Sequence, residues 1–173
     1  MQSIQIIPKL DGVKTYIKDT QIGIFIDNSG STGNKINDKK IILFELGFAL
    51  NFRKFNTTIC SWCDSAKVHF QNQSWVSKNS ITPETCTEPS CILRNNATRL
   101  VFENSETIIF MTDGEISAND VTRFASQICE IIKNKTIICV ITTMDIKDRI
   151  NISVFAPFLF LNRVIIFSGC LVW

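Results

Sequence analysis

The chain has 173 residues, 45% of them hydrophobic and 20% charged, which is the balance of one globular domain burying roughly 70% of its unfolded surface. With 18 basic and 16 acidic side chains the net charge is +2, too weak a field to gather a nucleic acid or an acidic polymer. No stretch reaches the roughly 18 uninterrupted apolar residues of a membrane span: the longest candidate, 152–173, is broken by Asn162, Arg163 and Ser168.

Residues 1–9 carry too short an apolar core and no cleavage site for a secretory signal. The 7 cysteines are an odd number, and Cys60, Cys129 and Cys139 sit inside apolar runs, where a reduced cysteine behaves as a small hydrophobe. Both features predict a reducing, cytoplasmic setting, in which the sequons at Asn56 and Asn134 go unused.

The first strong element is the apolar run Ile22-Gly23-Ile24-Phe25-Ile26, which breaks into Asp27-Asn28-Ser29-Gly30-Ser31. A short continuous apolar run closed by turn formers predicts a strand buried on both faces, the habit of parallel sheets. Residues 35–52, without proline and rich in Ile, Leu and Phe, predict a helix docked on that sheet. Residues 57–63 and 66–70 flank Asp64-Ser65 and predict a hairpin, hence one antiparallel strand at an edge. Residues 71–97, polar and with two prolines, read as loop with short turns.

A short helix is expected over 98–104 and a strand over 107–111. Ser117 with Asp120 forms a capping box, and Val121, Phe124, Ala125, Ile128 and Ile132 follow at helical spacing. Lys133-Asn134-Lys135 places cations where that helix's dipole favours them. A strand over 136–142, a helical or mixed segment over 146–158 and a last strand over 163–167 complete the order. Strands alternating with helices predict right-handed βαβ units: an α/β, three-layer, doubly wound fold with a mainly parallel six-stranded sheet and one antiparallel edge strand.

Two strand ends carry the chemistry. Asp27 closes the first run and Asp113 closes Thr107-Ile-Ile-Phe-Met-Thr112, and ligands of open α/β sheets gather outside the carboxyl ends of strands. Were these strands neighbours, two carboxylates would face one crevice, which calls for a cation between them or a proton on one. A hard cation such as Mg²⁺ takes six oxygens, only one or two of them carboxylates; Ser29 and Ser31, alternating with Asp27 along a tight turn, offer neutral ones. The plainer alternative is that Asp27 or Ser31 merely caps the following helix.

These residues resemble the von Willebrand factor type A (VWA) domain with its metal-ion-dependent adhesion site. Asp27-Asn28-Ser29-Gly30-Ser31 matches the family's D-x-S-x-S, and Thr112-Asp113-Gly114 its T-D-G. Thr98 stands in the place of its loop threonine, with Asn96-Ala97 where the family usually has Gly-Gly. The resemblance runs over about residues 21–168, so that residues 1–173 form one VWA-like domain of Rossmann-like architecture. It implies a metal set of Asp27, Ser29, Ser31, Thr98 and Asp113 around Mg²⁺, Mn²⁺ or Ca²⁺. It also implies an intracellular adhesion or scaffold module, not an enzyme, whose metal takes an Asp or Glu of a protein partner.

Other constellations are weaker. Cys60-x-x-Cys63 with Cys86-x4-Cys91 has the look of a zinc site, but strand residues three apart point to opposite faces. Gly30-Ser-Thr-Gly-Asn-Lys35 lacks the Gly-Lys-Ser/Thr adjacency of a phosphate loop. His69, the lone histidine, falls in the presumed edge strand and reads as a surface residue with no nucleophile assigned to it. Glu115 follows the T-D-G, where it can touch the metal's water shell; the plainer reading is a solvated residue approaching the next helix. A Mg²⁺-dependent phosphohydrolase using Asp27 and Asp113, and a metal-free structural subunit, remain as alternatives. Ile165, Ile166, Phe167, Leu171, Val172 and Trp173 would leave apolar surface uncovered, from which self-association through the C-terminal segment is expected.

Overall fold

Apolar runs that end in Asp, Thr or Gly form the centre of the fold. The computed structural model of the chain describes residues 5–7, 21–30, 56–71, 81, 84–142, 155 and 164–169. Seven strands make one mixed sheet: β1 (Gln5–Ile7), β2 (Gln21–Asp27), β3 (Asn56–Trp62), β4 (Ala66–Gln71), β5 (Thr107–Thr112), β6 (Thr136–Thr142) and β7 (Val164–Gly169). Their order is β1-β7-β6-β5-β2-β3-β4. Every neighbouring pair is parallel except β3 with β4, whose hairpin turns at Asp64-Ser65 and puts the antiparallel strand at an edge, as expected.

Among the described residues the sheet has seven strands, one more than the expected six. The additional strand is β1, which pairs outside β7 with Ile6 opposite Ile166; three residues are too few to carry a period of two, so the sequence pattern does not announce it. The last strand therefore has a partner along both edges. Residues 170–173, and with them Leu171, Val172 and Trp173 of the C-terminal apolar segment, lie outside the described residues, as do the helix expected over 35–52 and, apart from Phe155, the segment 146–158.

The sheet is buried on both faces in its middle strands, which is why their sequences run continuously apolar rather than alternating. On one face stand Phe25, Cys60, Trp62, Ile108, Phe110, Ile137, Cys139 and Ile141, and on the other Ile24, Ile26, Ile59, Ile109, Met111, Ile138 and Val140, all at most 3% exposed. Among the described residues, two helices bring aromatic rings to the first face. Phe102 of α2 (Asn96–Asn104) meets Phe25 edge-on at 5.3 Å and Phe124 at 6.1 Å, and Phe124 of α3 (Ala118–Ile128) stacks on Phe110 at 5.8 Å, which stacks in turn on Trp62 at 5.1 Å. Each such ring pair contributes about 0.5–1.5 kcal/mol beyond its area burial.

Local sequence sets the helix starts. Asn95 caps α2 by accepting the N–H groups of Ala97 and Thr98 while its Nδ2 donates to the Ala66 carbonyl at 2.9 Å, so one side chain both starts the helix and ties it to β4. Ser117 accepts the Asp120 N–H as an N-cap, and its hydroxyl donates to Asp120 Oδ2, so the acid three residues on braces the cap through the serine hydroxyl. The helix it starts ends at Ile128, a turn earlier than the spacing through Ile132 implies, and Ile132 is buried by the turns that follow.

The cations beyond α3 also serve differently from the dipole reading. Lys133 pairs with Glu130, whereas Lys135 donates to the carbonyls of Glu103 and Ser105 at 2.7 and 2.6 Å, closing the end of α2 instead. Within the loop expected over 71–97, α1 (Cys91–Arg94) makes a single turn whose Arg94 grips Glu88 with two donors at 2.6 and 2.9 Å. Because α2 leads into β5 and β5 is parallel to β2, the start of α2 lies on the side of the strands' carboxyl ends. Asp27, Ser29 and Asp113 lie at or just past the strand ends on that rim.

Candidate metal centre

β2 and β5 are adjacent and in register to Ile26 opposite Met111, so Asp27 and Thr112 leave the sheet abreast with Asp113 one residue beyond. Asp27 is fully buried. Its Oδ1 accepts the Ser29 N–H at 2.9 Å, a local turn that the Asp-x-Ser spacing builds by itself. Its Oδ2 accepts the Thr112 hydroxyl at 2.7 Å, a bond across 85 positions of sequence that joins the two strand ends. Thr112 Oγ1 in turn accepts the Gly114 N–H at 3.1 Å.

That last bond explains the glycine. Gly114 has φ 86°, the left-handed region that residues with a Cβ enter only at a cost. One residue earlier, Asp113 Oδ1 accepts the Glu115 N–H at 3.1 Å. Both acids are thus aimed by main-chain donors in tight turns. The loop carrying Asn28 and Ser29 is braced from both sides: Asn28 N–H donates to Trp62 O at 3.0 Å, and Glu84 N–H donates to Asn28 O at 2.7 Å, where Ser29 and Glu84 form a bridge.

Of the predicted ligands, Asp27, Ser29 and Asp113 stand at the ends of these neighbouring strands. Thr98 is buried in the first turn of α2, with its hydroxyl 2.7 Å from the Ile92 carbonyl and 3.2 Å from that of Asn95. Its proton is committed to the main chain, and lone pairs are what it has to offer an ion. Ser31 lies outside the described residues. Glu115 is exposed, as expected.

The role of Thr112 is one that sequence reasoning missed. Its signal is a hydroxyl at the last strand position, directly before Asp-Gly.

The donors fit a hard cation. The side chains of Asp27, Ser29 and Asp113 present oxygen only, the preference of Mg²⁺, Mn²⁺ and Ca²⁺. A carboxylate oxygen that accepts one hydrogen bond retains a second lone-pair direction, so the bonds from Ser29, Thr112 and Glu115 orient the acids without exhausting them.

The cysteines divide as strand geometry requires. Cys60 faces the aromatic core, where burial pushes its thiol up to about 12, while Cys63 faces Asp64 and Glu84; Cys86 is exposed and Cys91 is buried in the core. His69 departs from the surface reading. It is half-buried on β4 with Nε2 2.6 Å from Ser61 Oγ, and burial, followed by the charge of Lys67, lowers its pKa.

Compared with known proteins, the chain matches no family model and no curated sequence. Among solved structures it is similar to the conserved hypothetical protein BatB from Bacteroides thetaiotaomicron, with a TM-score of 0.61 and 14% identity over 87% of this chain and 90% of that one. The likeness is one of fold. A lower overlay relates it to proximal thread matrix protein 1 from the mussel byssus, with a TM-score of 0.48 and 15% identity over 86% of this chain and 41% of that one. No helix among the described residues is long and apolar enough to cross a membrane.

Proposed function

We propose that the chain is a VWA-type domain, three-layered and doubly wound, whose strand-end motif holds Mg²⁺ or a similar hard cation and through it captures an acidic side chain of a protein partner. The observation that carries this reading is the 2.7 Å bond from Thr112 to Asp27, because it brings the two motif halves, D-x-S and T-D-G, to one point at the carboxyl ends of adjacent parallel strands. Asp27 anchors the ion. Ser29, Ser31 and Thr98 supply neutral oxygens and Asp113 binds directly or through water, so a single anchoring carboxylate leaves the ion acidic enough to accept one more from outside. The reading is of binding in the cytoplasm, without turnover.

Calorimetric titration of Mg²⁺ and Mn²⁺ into the intact protein and the Asp27→Ala variant tests it. Saturable binding of one ion per chain, abolished in the variant, is the expected result. Equal heats from both proteins would remove the metal site and leave the domain as a structural subunit; a phosphatase activity lost with Asp27 would make the same ion catalytic.

A further inference from the structure

We propose a second metal site on this molecule, a thiophilic one for Zn²⁺ formed by Cys63, Asp64 and Glu84 just beyond the end of β3. It is independent of the hard-cation reading above. The three ligating atoms lie within 4.8 Å of one another, although Glu84 arrives from a segment 20 residues further along the chain than Asp64. Cys63 Sγ stands 3.1 Å from Asp64 Oδ1 and 2.9 Å from Glu84 Oε2.

A proton count shows what is missing. A thiol carries one proton, so it can satisfy one of these two carboxylate oxygens and must turn sulfur lone pairs towards the other. Lys67 Nζ donates to the far oxygen of Glu84 at 2.9 Å and so holds that carboxylate with its other oxygen towards the thiol. Two acids converging on one sulfur favour a cation or a proton between them, and Lys67 meets only the outer oxygen of Glu84. A zinc ion supplies it: Zn–S near 2.3 Å and Zn–O near 2.0 Å in a tetrahedron separate sulfur from oxygen by about 3.5 Å, which the present contacts reach by opening roughly half an ångström.

The donor set selects the metal. Sulfur with two carboxylates suits zinc and disfavours Mg²⁺ and Ca²⁺, which take oxygen. Cys63 is buried, Asp64 exposed and Glu84 between them, so the ion has a solvent approach and a fourth position for water. As the Zn–S bond forms, the thiol proton leaves to solvent. The ion also fastens the strut whose main-chain N–H donates to Asn28 O beside the Asp27 turn.

Titration with Co²⁺, a spectroscopic stand-in for zinc, tests the site in the reduced full chain. One cobalt per chain, with sulfur-to-cobalt charge-transfer absorption in the near ultraviolet that Zn²⁺ displaces, is expected. The absorption should vanish in Cys63→Ser and persist in Cys86→Ser and Asp27→Ala. Glu84→Gln, which leaves the thiol in place, should weaken cobalt binding no less than the roughly tenfold loss typical of removing an outer-sphere partner. Absorption that survives Cys63→Ser, affinity unchanged in Glu84→Gln, or none in the intact protein overturns the proposal. Loss with Asp27→Ala would assign the signal to the other site.

Discussion

The turn at Asp27 and the rim at Cys63 are joined through main-chain bonds at Asn28, yet they are built in opposite ways. At Asp27 the acid is fully buried and each carboxylate oxygen is fixed by a donor whose position is dictated two residues away or by the register of adjacent strands. At Cys63 a buried thiol meets one exposed and one half-exposed acid, the latter steadied by a lysine that is itself 59% exposed. The first arrangement is rigid before any ligand arrives; the second has solvent on one side. Ligand geometry at the first is therefore a property of the fold, and at the second it is adjustable.

The largest effect that would break this contrast is at Thr112. Thr112→Val keeps the shape but removes the donor to Asp27 Oδ2 and the acceptor for Gly114 N–H, both buried. A lost hydrogen bond to a charged group together with a stranded buried donor costs about 2–4 kcal/mol. Urea unfolding should show a midpoint lowered by that loss divided by the slope, with the slope itself unchanged. Asp64→Asn at the exposed rim should stay within about 0.5 kcal/mol. Equal losses would mean that the Asp27 turn is no better fixed than the rim.

Gly114→Ala sharpens the same point at smaller cost. At φ 86° an added Cβ strains the turn by about 1–2 kcal/mol. The strain should appear both as lost stability and as weaker Mg²⁺ binding, since the turn also aims Asp113. A stable variant with unaltered ion affinity would show that Asp113 is not positioned by this turn.

How much of this was legible in the sequence follows the same division. D-x-S and T-D-G are local: Ser29 N–H reaches Asp27, and Gly114 N–H reaches Thr112, within two residues, so spacing alone carries the geometry. The hairpin about Asp64-Ser65, the helix start at Ser117 and the parallel order were legible for similar reasons, being turn chemistry or a continuous apolar run. Features set by tertiary placement or by very short elements were not. Strand β1 is too short for a period, Lys135 closes α2 because of where the chain returns, and Glu84 meets Cys63 through tertiary placement that no local pattern encodes. Thr98 sits between these cases: its place in the first turn of α2 is local, whereas the Ile92 carbonyl that takes its hydroxyl comes from the preceding helical turn.

His69 gives a pH signature confined to the hairpin. Burial, followed by the neighbouring Lys67 charge, lowers its folded pKa below the reference 6.5. The unfolded chain therefore binds this proton more tightly than the folded one. Its effect on stability is nil well above pH 6.5, and stability falls as pH drops from there through the folded pKa, then falls no further on this account. Unfolding midpoints measured between pH 7.5 and 5 should show the decline in the intact protein and a shallower one in His69→Gln, which retains a partner for Ser61 Oγ. Identical slopes would assign the acid sensitivity to other groups.

The smallest expected effect concerns Lys67 and decides whether the rim is held by its ion pair. Lys67 Nζ lies 2.9 Å from Glu84 Oε1, with the two side chains 59% and 31% exposed. A pair so open to water contributes about 0.2–1 kcal/mol, and salt screens it further. Lys67→Ala should therefore lower stability by no more than that, with the difference shrinking towards zero in high salt. Its effect on the neighbouring thiol is of the other kind. Removing the lysine leaves Glu84 with less positive charge beside it, so the carboxylate should draw a thiophilic cation more strongly and cobalt affinity should rise while stability slips. If affinity falls instead, Lys67 is holding Glu84 in its ligating position, and the rim is as preorganised as the Asp27 turn it was contrasted with.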